Sequence, residues 1–210
     1  MTDYSQSGES PMLWNIFEKI GTRSKFAVEF GASDGFWLSN IRMFLENGWN
    51  GLQMEGISEP KNNVKNEFIT KENINSLFEK YEVPKNLDLL SIDIDGNDYW
   101  IWESINYSPA VVIIEYNCNF HKDVSVALEY DVNHRFDGSH AYAASFRAYD
   151  NLARQKGYYF YGETAYTNLI FVREEYREVL GTHPSIRNVE DLPIKMHGGT
   201  LPPHKRFIGV

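Results

Sequence analysis

The chain has 210 residues, 42% of them hydrophobic and 23% charged, which suffices for one α/β domain with a substantial core and excludes global disorder. Its formal net charge of -9 disfavours a duplex nucleic-acid partner, which calls for a basic face. The single cysteine, Cys118, rules out an internal disulfide, and no apolar run approaches the length of a membrane span.

Residues 1–9 are polar and acidic, unlike a secretory or transit leader, and read as a flexible lead-in to a cytoplasmic protein. Ser10-Pro11 is a helix start, because Ser caps and Pro suits the first helical position. Leu13, Ile16, Phe17 and Ile20 form the apolar stripe of that helix, and Gly21 ends it. Phe26 to Phe30 is the first strand. The turn Gly31-Ala-Ser-Asp-Gly35 follows, and then a helical period from Phe36 to Asn47. A second strand lies within Trp49–Glu55, a short helix is expected from Glu59 to Asn66, and a short third strand from Glu67 to Thr70. Glu72 to Tyr81 is an amphipathic helix closed by Pro84. Leu87 to Asp93 is a buried strand, Asn97 to Ile105 a helix, and Ala110 to Tyr116 another apolar strand.

Residues 117–138 have no strong period and are too long for an ordinary connection, which marks them as a substrate loop or lid. Ser139 starts a helix that runs to Lys156. Tyr158–Tyr161 and Leu169–Val172 are spaced for an antiparallel pair, and a last helix runs from Arg173 to Leu180. Residues 181–210 form a Pro- and Gly-rich tail placed to wrap over the 10–180 domain. Strand and helix alternate through residue 116, which predicts a three-layer αβα sandwich on a mostly parallel sheet.

In such a sheet ligands sit beyond the carboxyl ends of the strands. Four strands here finish in acids: Glu29 followed by Asp34, then Glu55, then Asp93 with Asp95, and Glu115 beside Asn117. Gly31 and Gly35 permit close backbone approach, yet the spacing is neither Gly-x-Gly-x-x-Gly nor a P-loop. An acidic turn repels pyrophosphate and accepts a cationic or hydroxyl-rich ligand. Glu55, about 20 residues beyond the glycine turn, has the place of an acid that accepts from both ribose hydroxyls. Asp95, Glu115 or a loop histidine (His121, His134 or His140) suits a general base, and His140 is preferred because it follows the Gly138-Ser139 turn. His183, His197 and His204 have no cysteine partners and no zinc-like spacing.

The ordered set Val28-Glu-Phe-Gly-Ala-Ser-Asp-Gly35, Gly51-Leu-Gln-Met-Glu-Gly56, Leu89-Leu-Ser-Ile-Asp-Ile-Asp-Gly-Asn-Asp-Tyr99 and Val111-Val-Ile-Ile-Glu-Tyr-Asn117 resembles class I S-adenosylmethionine-dependent methyltransferases, and within them the FkbM-like group. The resemblance covers roughly residues 24–180. It implies a Rossmann-like seven-stranded sheet of order 3-2-1-4-5-7-6 with the seventh strand antiparallel. It places Glu29, Gly31, Ala32, Asp34 and Gly35 at the methionine part of S-adenosyl-L-methionine, Glu55 at the ribose, Asn73 and Ile74 near the adenine, and Asp93 near the amino group. It further implies a small-molecule or glycan acceptor, methylated on oxygen. Asp95, Glu115 and Asn117 then offer hard oxygen ligands for Mg²⁺ beside the cofactor. Two other readings are weighed: a non-catalytic nucleoside-binding domain, and a magnesium-dependent phosphatase using Asp93 and Asp95, whose motif belongs after a first strand rather than here.

Overall fold

The computed structural model describes residues 1–56, 62–165, 167–183 and 205–210. The elements in chain order are α1 (Glu9–Ile20), β1 (Phe26–Phe30), α2 (Arg42–Glu46), β2 (Asn50–Glu55), β3 (Lys65–Asn66), α3 (Ile74–Lys80), β4 (Leu89–Ile92) and α4 (Asp98–Ser104). They continue with β5 (Val111–Glu115), β6 (Val126–Leu128), α5 (Phe146–Gln155), β7 (Tyr158–Thr164), β8 (Asn168–Arg173), α6 (Arg177–Leu180) and β9 (Phe207–Gly209).

Seven strands form one sheet of order β3-β2-β1-β4-β5-β8-β7. The pairs from β3 to β5 are parallel, and β8 lies antiparallel between β5 and β7. This is the order that the resemblance implies, once the extra short strand β6 is counted. Alternate residues of the central strands feed two cores. Val28, Phe30, Leu90, Ile92, Val112 and Ile114 face α3, α4 and α5. Ala27, Leu89, Val111 and Ile113 face α1, α2 and α6. A period of two puts neighbouring side chains on opposite faces, and both faces here are apolar, so helices must cover both.

Several boundaries differ from the sequence reading, each for a local reason. α1 begins at Glu9, inside the expected lead-in. The Glu9 side chain is fully buried and accepts from Ser7 N, Thr164 Oγ1 and Asn168 Nδ2. The helix expected from Phe36 shrinks to Arg42–Glu46. Asp34 Oδ1 takes the Phe36 and Trp37 N–H groups into a turn, and Leu38 adopts a left-handed φ of 57° that no helix accommodates.

The third strand is Lys65–Asn66 rather than Glu67–Thr70, pairing with Met54 and Glu55. Of the helix expected over 59–66, residues 59–61 lie outside the described residues. Asn62 and Asn63 turn through left-handed conformations instead of continuing it. The helix expected from Ser139 starts at Phe146, capped by Ser145, whose side chain accepts from Ala148 N. Residues before it are drawn into pairing: Ser145 N donates to Val126 O, Leu128 N to Ala143 O and Asn117 N to Ala144 O. The 117–138 segment therefore holds a strand, β6, and its antiparallel partner is β9 from the tail. The rest of the tail, 184–204, with His197 and His204, lies outside the described residues.

Candidate active site

A cleft of about 390 Å³ opens at the carboxyl ends of β1, β2, β4 and β5. Its floor depends on Gly31. There φ is 67°, and a Cβ would stand 1.7 Å from the Asp93 carbonyl oxygen, so the β1 turn presses directly on the end of β4. Gly35, at φ 81°, is likewise close-packed, with Val64 Cγ2 at 2.9 Å and Gln53 Oε1 at 3.0 Å from the Cβ it lacks.

Glu29, Gly31, Ala32, Glu55, Asp93, Asp95 and Glu115 line this cleft. Glu55 and Glu115 close β2 and β5, Glu29 is the last residue but one of β1, and Gly31, Ala32, Asp93 and Asp95 lie just beyond β1 and β4. Glu29 is buried and already supplied with donors: Ser39 Oγ at 2.6 Å, Asn40 N at 2.6 Å and Gln53 Nε2 at 2.9 Å. Burial raises its pKa, and those donors oppose the rise. Glu55 Oε2 accepts from Ser33 N at 3.1 Å, which ties the end of β2 to the glycine turn.

Asp93, Asp95 and Glu115 each offer a carboxylate oxygen, all within 4.8 Å of one another. Burial pushes the pKa of Asp93 well up, and the neighbouring charges of Asp95, Asp98 and Glu29 add to it. Glu115 is raised well above the usual range by burial and then by Asp93, Asp98 and Asp95. Asp95 is raised by burial and by Glu55. Glu115 Oε2 and Asn40 Oδ1, both on cleft-lining residues, are shielded from solvent and have no hydrogen-bond partner among the described residues. Buried acceptors of this kind are costly unless a ligand donor or cation meets them.

Six sequence candidates fall elsewhere. Asp34 and Gly35 shape the turn beside the cleft without lining it. Asn73 caps its own turn, accepting from Thr70 N and donating to Phe68 O, while Ile74 is buried in the core under α3. With the third strand shifted, Glu67, Phe68 and Ile69 occupy the wall where Asn73 and Ile74 were expected. Asn117 is buried with its side chain engaged: Nδ2 donates to His140 O and Tyr142 O, and Oδ1 accepts from Asn119. It is a tether for the loop and does not line the cleft. His140 contributes its carbonyl to that tether and does not line the cleft.

The histidine that does line it is His134, with Arg135 and Phe136 beside it. Trp37 and Leu38, exposed to 69% and 43%, form the opposite lip. Arg135 stacks 3.9 Å from the Phe68 ring centroid. Asp98 was also missed. It is fully buried and accepts from Ile94 N and Gly96 N, each at 2.8 Å, fixing the loop that carries Asp95. A signal for it existed: an acid in the first turn of α4, three residues beyond Asp95. Nothing in the sequence placed Trp37, Leu38 or Asn168 at the cleft.

No helix among the described residues is long and apolar enough to cross a membrane. No protein-family model matches the chain, and no curated protein matches it. Among solved structures, the N-terminal domain of EvdMO1 with SAH bound is similar over 79% of this chain and 80% of that chain, at 12% identity and a TM-score of 0.48.

Proposed function

We propose that the chain is an S-adenosylmethionine-dependent methyltransferase of FkbM-like type, acting on a hydroxyl of a sugar or other small molecule. The observation that carries this reading is the cleft itself: a glycine turn wedged against the end of β4, ringed by Glu29, Glu55, Asp93, Asp95 and Glu115. Phosphate is repelled there, and a nucleoside bearing sulfonium and ammonium charges is welcome. The residues fit such a ligand. The backbone at Gly31–Ser33 and Asp93 suit its amino-acid end, Glu55 its ribose hydroxyls, and Phe68 with Ile69 its base. When bound, that cofactor supplies a methyl group on a positively charged sulfur.

The chain's own part is to hold the acceptor in line and take its proton. Asp95 lines the cleft with a pKa raised by burial and by the Glu55 charge, which suits a carboxylate that must accept a proton and later release it, and Glu115 stands beside it with its own raised well above the usual range. Rigid placement by Asp98 and by the β5 ladder keeps both acids in place, and most of the acceleration comes from that positioning.

A second reading of the cluster is a Mg²⁺ site made of Asp93, Asp95 and Glu115. The unpartnered Glu115 Oε2 favours it, and hard oxygens suit that ion. Asn117 leaves the proposed ligand set because its side chain is occupied.

Calorimetry with S-adenosylhomocysteine tests the main reading. Micromolar binding is expected, weakened about 10- to 100-fold by Glu55→Ala through loss of charged hydrogen bonds. No binding at millimolar concentration overturns it. Binding without transfer to any acceptor, in a screen of hydroxylated compounds with labelled cofactor, supports a non-catalytic nucleoside-binding domain instead.

A further inference from the structure

The tail strand reaches the site through two side chains. β9 pairs with β6, Glu129 N donates to Arg206 O, and the Phe120 and Phe207 rings meet edge to face at 4.6 Å. This docks Lys205 over the 129–134 segment, with its side chain largely covered. Lys205 Nζ lies 2.7 Å from His134 Nδ1, and His134 Nε2 lies 2.9 Å from the Asp95 carbonyl oxygen.

The chemistry at both ends fixes the imidazole. A carbonyl only accepts, so Nε2 carries the proton. An ammonium only donates, so Nδ1 presents its lone pair. This pairing is that of the neutral ring; burial first, and the Lys205 charge after it, lower the pKa of His134, against the Asp95 carbonyl, Asp131 and Asp137. It is packed so closely on the loop that a Cβ on Gly96 would stand 2.1 Å from His134 Cδ2. Asp95 itself sits at φ 54°, a left-handed conformation that costs energy for any residue other than glycine and persists only where the surroundings hold it.

We infer that Lys205 and His134 are positioning residues for Asp95: the tail lysine fixes the histidine tautomer, and the histidine N–H holds the Asp95 carbonyl so that its carboxylate stays beside those of Asp93 and Glu115. The C-terminal strand is thus part of the active site although none of its residues lines the cleft. The inference rests on the proposed role of Asp95 for its catalytic consequence. Its structural content stands independently.

Hydrogen exchange on the full chain tests it. The Ile94 and Gly96 amides, held by Asp98, report on the loop. Lys205→Met and His134→Ala should speed exchange in the peptide covering residues 93–99 about tenfold, the worth of one hydrogen bond. The 111–115 and 126–128 peptides should stay at wild-type rates, which excludes general loosening. His134→Gln keeps a donor and an acceptor on one side chain and should restore protection.

In turnover, Lys205→Met should lower kcat about tenfold while S-adenosylhomocysteine affinity stays within twofold. Unchanged exchange at 93–99 in both Lys205→Met and His134→Ala overturns the inference, as does loosening by His134→Gln equal to that by His134→Ala. Should Lys205→Met fail to fold, the two His134 variants decide alone. If the wild-type chain binds no S-adenosylhomocysteine, the methyl-transfer reading fails, and the exchange result still decides whether Lys205 and His134 position Asp95.

Discussion

Asp98 makes the chain's stability depend on pH in a way that one substitution isolates. Its carboxyl is fully buried, and burial is the first cause that raises its pKa from 3.8 to about 6, against the pull of the Ile94 and Gly96 N–H groups. A folded-state pKa above the unfolded value means that the native state binds the proton more tightly. The associated stability is complete below pH 3.8 and is lost as pH rises through about 6. The full difference is about 3 kcal/mol, of which about 1.4 kcal/mol falls between pH 5 and pH 8.

Asp98→Asn removes this dependence, because an amide does not titrate. It also carries a constant cost of about 1–3 kcal/mol, since the amide nitrogen cannot accept from the second backbone N–H. Urea unfolding of both proteins at pH 5 and pH 8 separates the two effects. The variant should be the less stable at pH 5 and should recover about 1.4 kcal/mol relative to wild type by pH 8, roughly 0.6 M in midpoint. Comparing the two proteins at each pH cancels groups that do not feel the Asp98 charge, such as His134, whose lowered pKa acts in the opposite sense over part of that range; Asp93 and Glu115, which that charge helps to raise, respond to the substitution as well. A stability difference that stays constant from pH 5 to pH 8 would show that Asp98 does not carry the proton assigned to it.

Gly31→Ala should abolish S-adenosylhomocysteine binding and lower stability by several kcal/mol, because its Cβ would overlap the Asp93 carbonyl at 1.7 Å on a backbone with φ 67°; calorimetry and thermal melting check this, and a wild-type affinity would refute the wedge. Asp88→Ala should cost about 3–5 kcal/mol in urea unfolding, since that buried carboxylate accepts from the Arg23, Ser24 and Lys25 N–H groups and nothing replaces it. Asn117→Ala should expose the 140–145 segment to limited proteolysis while leaving S-adenosylhomocysteine affinity within twofold, because its side chain bonds the loop and lies outside the cleft.

The sheet was readable because its signal is local and repeated. Val28-Glu-Phe, Leu89-Leu-Ser-Ile and Val111-Val-Ile-Ile are short apolar runs bounded by turns, and both faces of a parallel sheet are covered. The acids at the strand ends were legible for the same reason: a strand fixes where its last side chain stands. The lips of the cleft were not. Trp37 and Leu38 follow the helical period of their neighbours, and only the Asp34 turn, a hydrogen-bonding event two and three residues away, lifts them out of the helix. Choosing His134 over His140 depends on a contact with Lys205 across 71 residues, which no local pattern carries. β6 and β9 are three-residue strands at opposite ends of a long separation, too short for a period to register.

The acid cluster leaves one question that a single substitution can answer. Three carboxylates within 4.8 Å cannot all stay charged: at an effective dielectric constant of about 20 each such pair costs about 3.5 kcal/mol. Either protons or a cation must relieve the repulsion. Glu115, with one oxygen shielded and without a partner among the described residues, has its pKa raised well above the usual range by burial and then by Asp93, Asp98 and Asp95. Glu115→Gln keeps the shape and, where Glu115 is the acid that holds the relieving proton, replaces a neutral acid with a neutral amide. In chelator at pH 7 it should therefore match wild-type stability within about 1 kcal/mol. Magnesium then separates the two proteins if the cluster binds it: a millimolar site in 10 mM Mg²⁺ stabilises the native state by about 1.4 kcal/mol, or about 3–5 °C in melting temperature, and the amide should forfeit most of that gain. A large stabilisation by Glu115→Gln in chelator would mean that Glu115 was charged. An equal Mg²⁺ response in both proteins would move the ion away from Glu115.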